Sequence, residues 1–188
     1  MVAVKLLVAG VFFIGSQSLS EKSRDKQEAC EIESTLIDSL PGKNQQVLNY
    51  VVRNGAKISP TYQGSVCTEL LIGVLKNFTL LSKEEKNRIR IITEENVHQL
   101  RLTHSPVPKG VYYALTESRK GTAIDRLEDV RPGDFVQFWY WSWGHCGIVK
   151  SIDRVNGTMD LYSSYPTTNG YGIQTFNIPH ECYFVRLK

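Results

Sequence analysis

The chain has no CxxC pair, no spaced set of His, Cys, Asp and Glu that reads as a metal site, and no glycine-rich phosphate loop. Zinc binding and nucleotide chemistry therefore have no basis in the sequence, and no metal or cofactor is expected. No run of lysine and arginine forms a patch: 22 basic residues against 19 acidic ones leave a formal charge of +3. So mild a balance does not point to nucleic acid, although it suits attraction to an acidic polymer such as cell wall. There is no internal repeat, and beyond the first residues no segment is long and apolar enough to cross a membrane. Cysteine is sparse, with four residues at positions 30, 67, 146 and 182. In an exported chain these permit two disulfides in three connectivities.

What is present begins with a leader. Lys5 precedes the apolar run Leu6–Ile14, and Gly15, Ser16 and Ser18 offer small residues for cleavage before the charged stretch from Glu21. Residues 1–20 read as a secretory signal peptide, too short in its apolar part to span a bilayer. No cysteine lies near the cleavage point, which argues against a lipid anchor. The expected product is a secreted or periplasmic protein without a membrane anchor, whose residues 21–188 make one domain, about the size for a single core.

Along that domain, residues 21–39 carry apolar positions at helical spacing and stop at Pro41-Gly42. A second helix bears Val47, Leu48, Val51 and Val52 and is expected to end at Asn54-Gly55. The loop Ile58–Ser65 delivers the chain to Cys67, where Leu70, Leu71, Val74 and Leu75 again fall at helical spacing. Ser82-Lys-Glu-Glu85 is a capping box, and Thr93–Leu100 prolongs or restarts its helix as a surface insertion. From Pro106 the pattern turns to strands: Gly110–Leu115, Asp134–Tyr140, His145–Ile152, Thr158–Tyr162 and Cys182–Leu187. They are separated by Arg131-Pro-Gly-Asp134, Ser142-Trp-Gly144, the hairpin turn Val155-Asn-Gly-Thr158 and Thr168-Asn-Gly170. Helices first and an antiparallel sheet after them predict an α+β fold. Asn77-Phe-Thr79 and Asn156-Gly-Thr158 match the glycosylation acceptor pattern.

Two residues carry chemistry. Cys67 is predicted in the first turn of a helix, where unpaired N–H groups and the helix dipole favour a thiolate. His145 opens a strand and shares one face with Gly147 and Val149, while Cys146, Ile148 and Lys150 share the other. Gly147 leaves room beside the imidazole for a substrate or a neighbouring helix. His98, His104 and His180 have no thiol or acid motif beside them and are expected in solvent.

Cysteine at a helix start, then Pro-Gly-Asp opening a strand, then Gly-His-x-Gly-Ile-Val on the next strand, resembles the NlpC/P60 and CHAP cysteine peptidase and amidase superfamily, over roughly residues 58–188. The resemblance implies a papain-like domain with N-terminal helices packed on an antiparallel sheet. It implies Cys67 as nucleophile, His145 as base, and Tyr162, with Ser164 on the same face, in the position that orients the imidazole. It also implies acyl transfer on amide bonds of peptidoglycan or peptide, with Tyr62 or Gln63 as a second oxyanion donor and Trp141 and Trp143 as a wall for sugar or peptide. A monomer is expected, with an inhibitor or immunity protein as a conceivable partner. Two other readings compete: a papain-like wall-binding domain without hydrolysis, and a disulfide-stabilised secreted binding protein in which Cys67 is structural.

Overall fold

Helix α1 (Gly42–Ile58) starts the computed structural model, which describes residues 40–188; the expected leader and the expected helix of residues 21–39 lie outside the described residues. α1 runs past Asn54-Gly55 to Ile58 rather than stopping there. Gly55 is an interior helical position against which Tyr171 packs so closely that a Cβ would lie 2.3 Å from its ring. The glycine thus marks a close approach, not a terminus.

Helix α2 (Cys67–Leu75) buries Leu70, Leu71, Ile72, Val74 and Leu75 almost completely. Each such side chain contributes roughly 1.5–3 kcal/mol relative to exposure, so this short helix is held by its apolar face. Helix α3 (Lys83–Arg90) begins with the predicted capping box, Ser82 and Glu85 each satisfying the other's backbone N–H. Ile91 then takes a left-handed conformation and ends it. A separate helix α4 (Val97–Leu102) restarts under an Asn96 cap.

The segment expected as a first strand, Gly110–Leu115, is instead helix α5 (Gly110–Glu117). Val111, Ala114 and Leu115 are its fully buried positions, a helical spacing, with Tyr112 and Tyr113 only half-buried. An alternating pattern would have buried 111, 113 and 115 instead.

Six strands follow: β1 (Gly121–Ile124), β2 (Phe135–Trp139), β3 (Gly144–Asp153), β4 (Thr158–Tyr165), β5 (Gly170–Asn177) and β6 (Glu181–Leu187). Their order is β1-β6-β2-β3-β4-β5, every pair antiparallel. The class is α+β, as expected. β1 and β5, the two edges, escaped the sequence reading because they are short or rich in Gly, Thr, Gln and Asn. The Asn156-Gly157 hairpin joins β3 to β4, with Gly157 at φ +65°.

The sheet has two dressed faces. α1, α2 and α5 pack on Phe135, Cys146, Ile148, Val185 and Leu187. The other face carries Val136, Phe138, Val149, Met159, Leu161, Phe176 and Phe184, closed by Val130. Between the layers, the Pro-Gly-Asp turn is an anchor. Asp134 is fully buried and accepts from both Nε and Nη2 of Arg186 at 2.8 Å, from Asn44 Nδ2 at 2.8 Å and from the Arg131 N–H at 2.7 Å. Gly133 sits at φ +89° with the Asn44 backbone where its Cβ would be, so this turn needs glycine. Among the described residues, no helix is long and apolar enough to cross a membrane.

Candidate active site

Cys67 is the first residue of α2, and Val66 at the cap offers no side-chain acceptor to the first-turn N–H groups. The positive end of the helix is thereby left facing the sulfur and whatever lies before it. The loop that delivers it is stapled to the sheet. The Ser164 hydroxyl on β4 donates to the Ser65 carbonyl at 2.5 Å and accepts from the Ser59 hydroxyl at 2.8 Å, while the Tyr171 N–H binds the Ser59 carbonyl at 2.9 Å. Ser164 was expected to orient the imidazole. Its buried hydroxyl instead fixes the loop that leads to Cys67.

β3 supplies the partners. Gly144–Ile148 pairs with β2 throughout, but the ladder to β4 begins only at Ile148 opposite Tyr162. Before that point β3 has no ladder partner on its β4 side. There the Cys146 side chain, the His145 imidazole and the Cys146 backbone N–H all hold the Cys67 thiol well below its ordinary value, overcoming the burial that pushes it up. Cys146 moves the opposite way: burial first, then the charge and hydrogen bonding of Cys67, raise it well above the ordinary value. The two sulfurs thus shift each other in opposite directions, and the imidazole adds to the lowering of Cys67.

His145 is only 4% exposed. It lies opposite Phe138 in the β2 register, on the sheet face away from Cys146, and is boxed by aromatic rings. Its centroid is 5.1 Å from Tyr165, 5.2 Å from Phe176, 5.7 Å from Phe138 and 6.4 Å from Trp143. Its Nε2 is buried without a hydrogen-bond partner. Gly147 does make room, but Leu161 of β4 fills it, its Cβ 3.1 Å from where a Gly147 Cβ would stand.

Tyr62 comes to the site. Burial, and then the neighbouring Cys67 and Tyr165, push its hydroxyl upward. Gln63 is exposed in the loop. Tyr162 lies on the helix-facing side and stacks on Tyr171, 6.1 Å between centroids and 10° between planes. Trp143 joins the aromatic box, 4.7 Å from Tyr140. Trp141 stands 83% exposed with its ring edge on His98. His98, His104 and His180 are exposed, as expected.

Residues that the sequence reading passed over matter here. Cys146 was seen only as the far face of the strand, and Tyr165 and Phe176 were not tied to the imidazole because β5 was not recognised. α4 is more than a surface insertion. Arg101 binds Glu181 through two bonds of 2.9 and 2.8 Å, donates to the Trp141 carbonyl at 3.1 Å and lies 5.0 Å over the Trp139 ring, clamping the Trp-rich turn. Among the described residues no cluster fit to hold a metal ion occurs.

Comparison with protein-family models, with curated proteins and with solved structures returned no match.

Proposed function

We propose that the chain is an exported cysteine hydrolase that cleaves amide bonds by acyl transfer through Cys67 and His145. The observation that carries this reading is the convergence of a helix-start cysteine, a strand histidine and the Cys146 N–H on one lowered thiol. The Cys67 thiolate attacks the substrate carbonyl carbon. The developing oxyanion is met by the first-turn N–H of α2 and by the Tyr62 hydroxyl. His145 gives a proton to the leaving amine and then takes one from the water that releases the acyl group. Peptidoglycan stem peptides are proposed as substrate from the resemblance to NlpC/P60 and CHAP enzymes, and Trp141 offers an exposed ring on which sugar or peptide stacks.

The aromatic box and the unpartnered Nε2 of His145 favour a second reading, a papain-like domain that binds cell wall without cutting it. Iodoacetamide labelling of the reduced protein across pH separates the two. Hydrolysis requires Cys67 to react fast well below pH 8.5, the ordinary thiol region of about 8.5, and to slow in His145→Ala. Slow labelling that ignores His145 would instead support the binding domain. Digestion of peptidoglycan fragments, followed by mass spectrometry, then identifies the bond.

A further inference from the structure

The proposed hydrolysis uses one sulfur and leaves a second one unexplained. Cys146 is 1% exposed, on the helix-facing side of β3, in the same core cluster against which Cys67 packs. The mechanism asks only for its backbone N–H. A small apolar residue would fill that place without adding a reactive thiol next to a thiolate.

We propose that Cys67 and Cys146 form a closable dithiol, in which Cys146 is the resolving thiol that converts an oxidised Cys67 into a reversible disulfide. The oxidant is a peroxide. The Cys67 thiolate attacks one oxygen of hydrogen peroxide, the O–O bond breaks, and the departing hydroxide takes up a proton to leave as water, giving the Cys67 sulfenic acid. Cys146 sulfur then attacks the Cys67 sulfur. The S–S bond forms, the S–O bond breaks, and the hydroxyl leaves with the Cys146 proton as a second water. Two thiols and one peroxide become a disulfide and two waters.

Position decides the order of events. Cys67, the less buried sulfur and the one lowered by its surroundings, meets the oxidant; Cys146 is sealed behind it and acts only on the oxidised neighbour. Cys182 does not compete for this role. It faces Phe138 in the β2–β6 register, packs with the opposite sheet face, and burial pushes its thiol up to about 12. The disulfide would silence the thiolate while protecting it from irreversible oxidation to sulfinic acid, and a reductant would restore it. The inference needs the Cys67 thiolate but not amide hydrolysis, so its outcome is independent of the function proposed above.

The test is peptide mapping of the full chain. The reduced protein is treated with equimolar hydrogen peroxide at pH 7, quenched with N-ethylmaleimide and digested without reductant. The expected product is a peptide pair linking Cys67 to Cys146, with Cys67 no longer alkylated until dithiothreitol restores its thiol. In Cys146→Ala and Cys146→Ser, Cys67 should instead be trapped by dimedone as sulfenic acid or found as sulfinic acid. Wild-type protein carrying sulfenic or sulfinic Cys67 with no such link, or Cys67 joined to Cys30 or Cys182, overturns the proposal. Should both variants lose their fold by circular dichroism, the wild-type map alone decides.

Discussion

Asp134→Asn is the substitution that most directly tests how the sheet is tied to the helices. The carboxylate is fully buried and each oxygen receives two donors: Oδ1 from Arg186 Nε and Asn44 Nδ2, Oδ2 from Arg186 Nη2 and the Arg131 N–H. An asparagine keeps the shape but must put an NH2 where one oxygen was. Whichever way the amide turns, two hydrogen bonds are lost and two donors face a third. Hydrogen bonds to charged groups are worth about 1.5–3 kcal/mol each, and breaking a buried ion pair costs about 3–5 kcal/mol. The expected loss is about 3–4 kcal/mol, for a chain of this size a fall in Tm of roughly 10 °C. Urea unfolding of wild type and variant, followed by tryptophan fluorescence, measures it. A loss below about 1 kcal/mol, with the slope against urea unchanged, would refute the claim that this network holds α1, the Pro-Gly-Asp turn and β6 together.

Glu85 gives a pH dependence. Burial pushes its carboxyl up, but the Lys120 ammonium, the Ser82 N–H and Ser118 hold it down, from the usual 4.5 to about 2. A depressed carboxyl contributes stability that is present above pH 4.5 and is lost as pH falls from there towards 2. At about 1.4 kcal/mol per unit, discounted because Lys120 is part-exposed, the contribution is about 2–3 kcal/mol. Acid unfolding of Glu85→Gln should lack that slope, and parallel curves for the two proteins would remove the assignment. Gly55→Ala should destabilise by about 1–3 kcal/mol, since its Cβ would overlap the Tyr171 ring at 2.3 Å; unchanged urea unfolding would show that the ring has room to move. Arg101→Met should leave global stability nearly intact yet raise amide exchange in residues 140–144 roughly tenfold, the effect of losing about 1.4 kcal/mol of local restraint. Exchange confined to its wild-type rate would mean that α4 does not clamp the Trp-rich turn.

Much of the fold was legible because local signals and tertiary demands agree. The capping box at Ser82, the hairpin at Asn156-Gly157 and the turn at Arg131–Asp134 stand where the sequence placed them. Where local signals were ambiguous, packing decided. Val111, Tyr112 and Tyr113 suit a strand, yet burial of 111, 114 and 115 on the sheet makes a helix of that segment. Asn54-Gly55 suits a helix end, yet the ring of Tyr171, more than a hundred residues away, makes it a crossing point. The candidate site was legible in the same partial way. Cys67 and His145 are marked by what precedes and follows them in the chain. The aromatic box depends on β5, whose polar composition hides it, and the role of Ser164 depends on a loop 99 residues distant.

The alternation of β3 explains why Cys146 escaped notice and why the site sits where it does. Adjacent residues of a strand point to opposite faces, so His145 enters the aromatic box while Cys146 enters the helix-facing core. A group packed against the middle of either face would meet one of them and never the other. Only where the β3–β4 ladder has not yet begun can a single atom come near both side chains and the N–H between them. Helix α2 puts its first residue there, because Ser59, Ser65 and Ser164 pin the preceding loop to β4. Moving Cys67 one turn along the helix would bury it among Leu70 and Leu71 and leave it facing the core alone. The lowering of this thiol therefore follows from its standing at the start of α2, where the β3–β4 ladder has not begun.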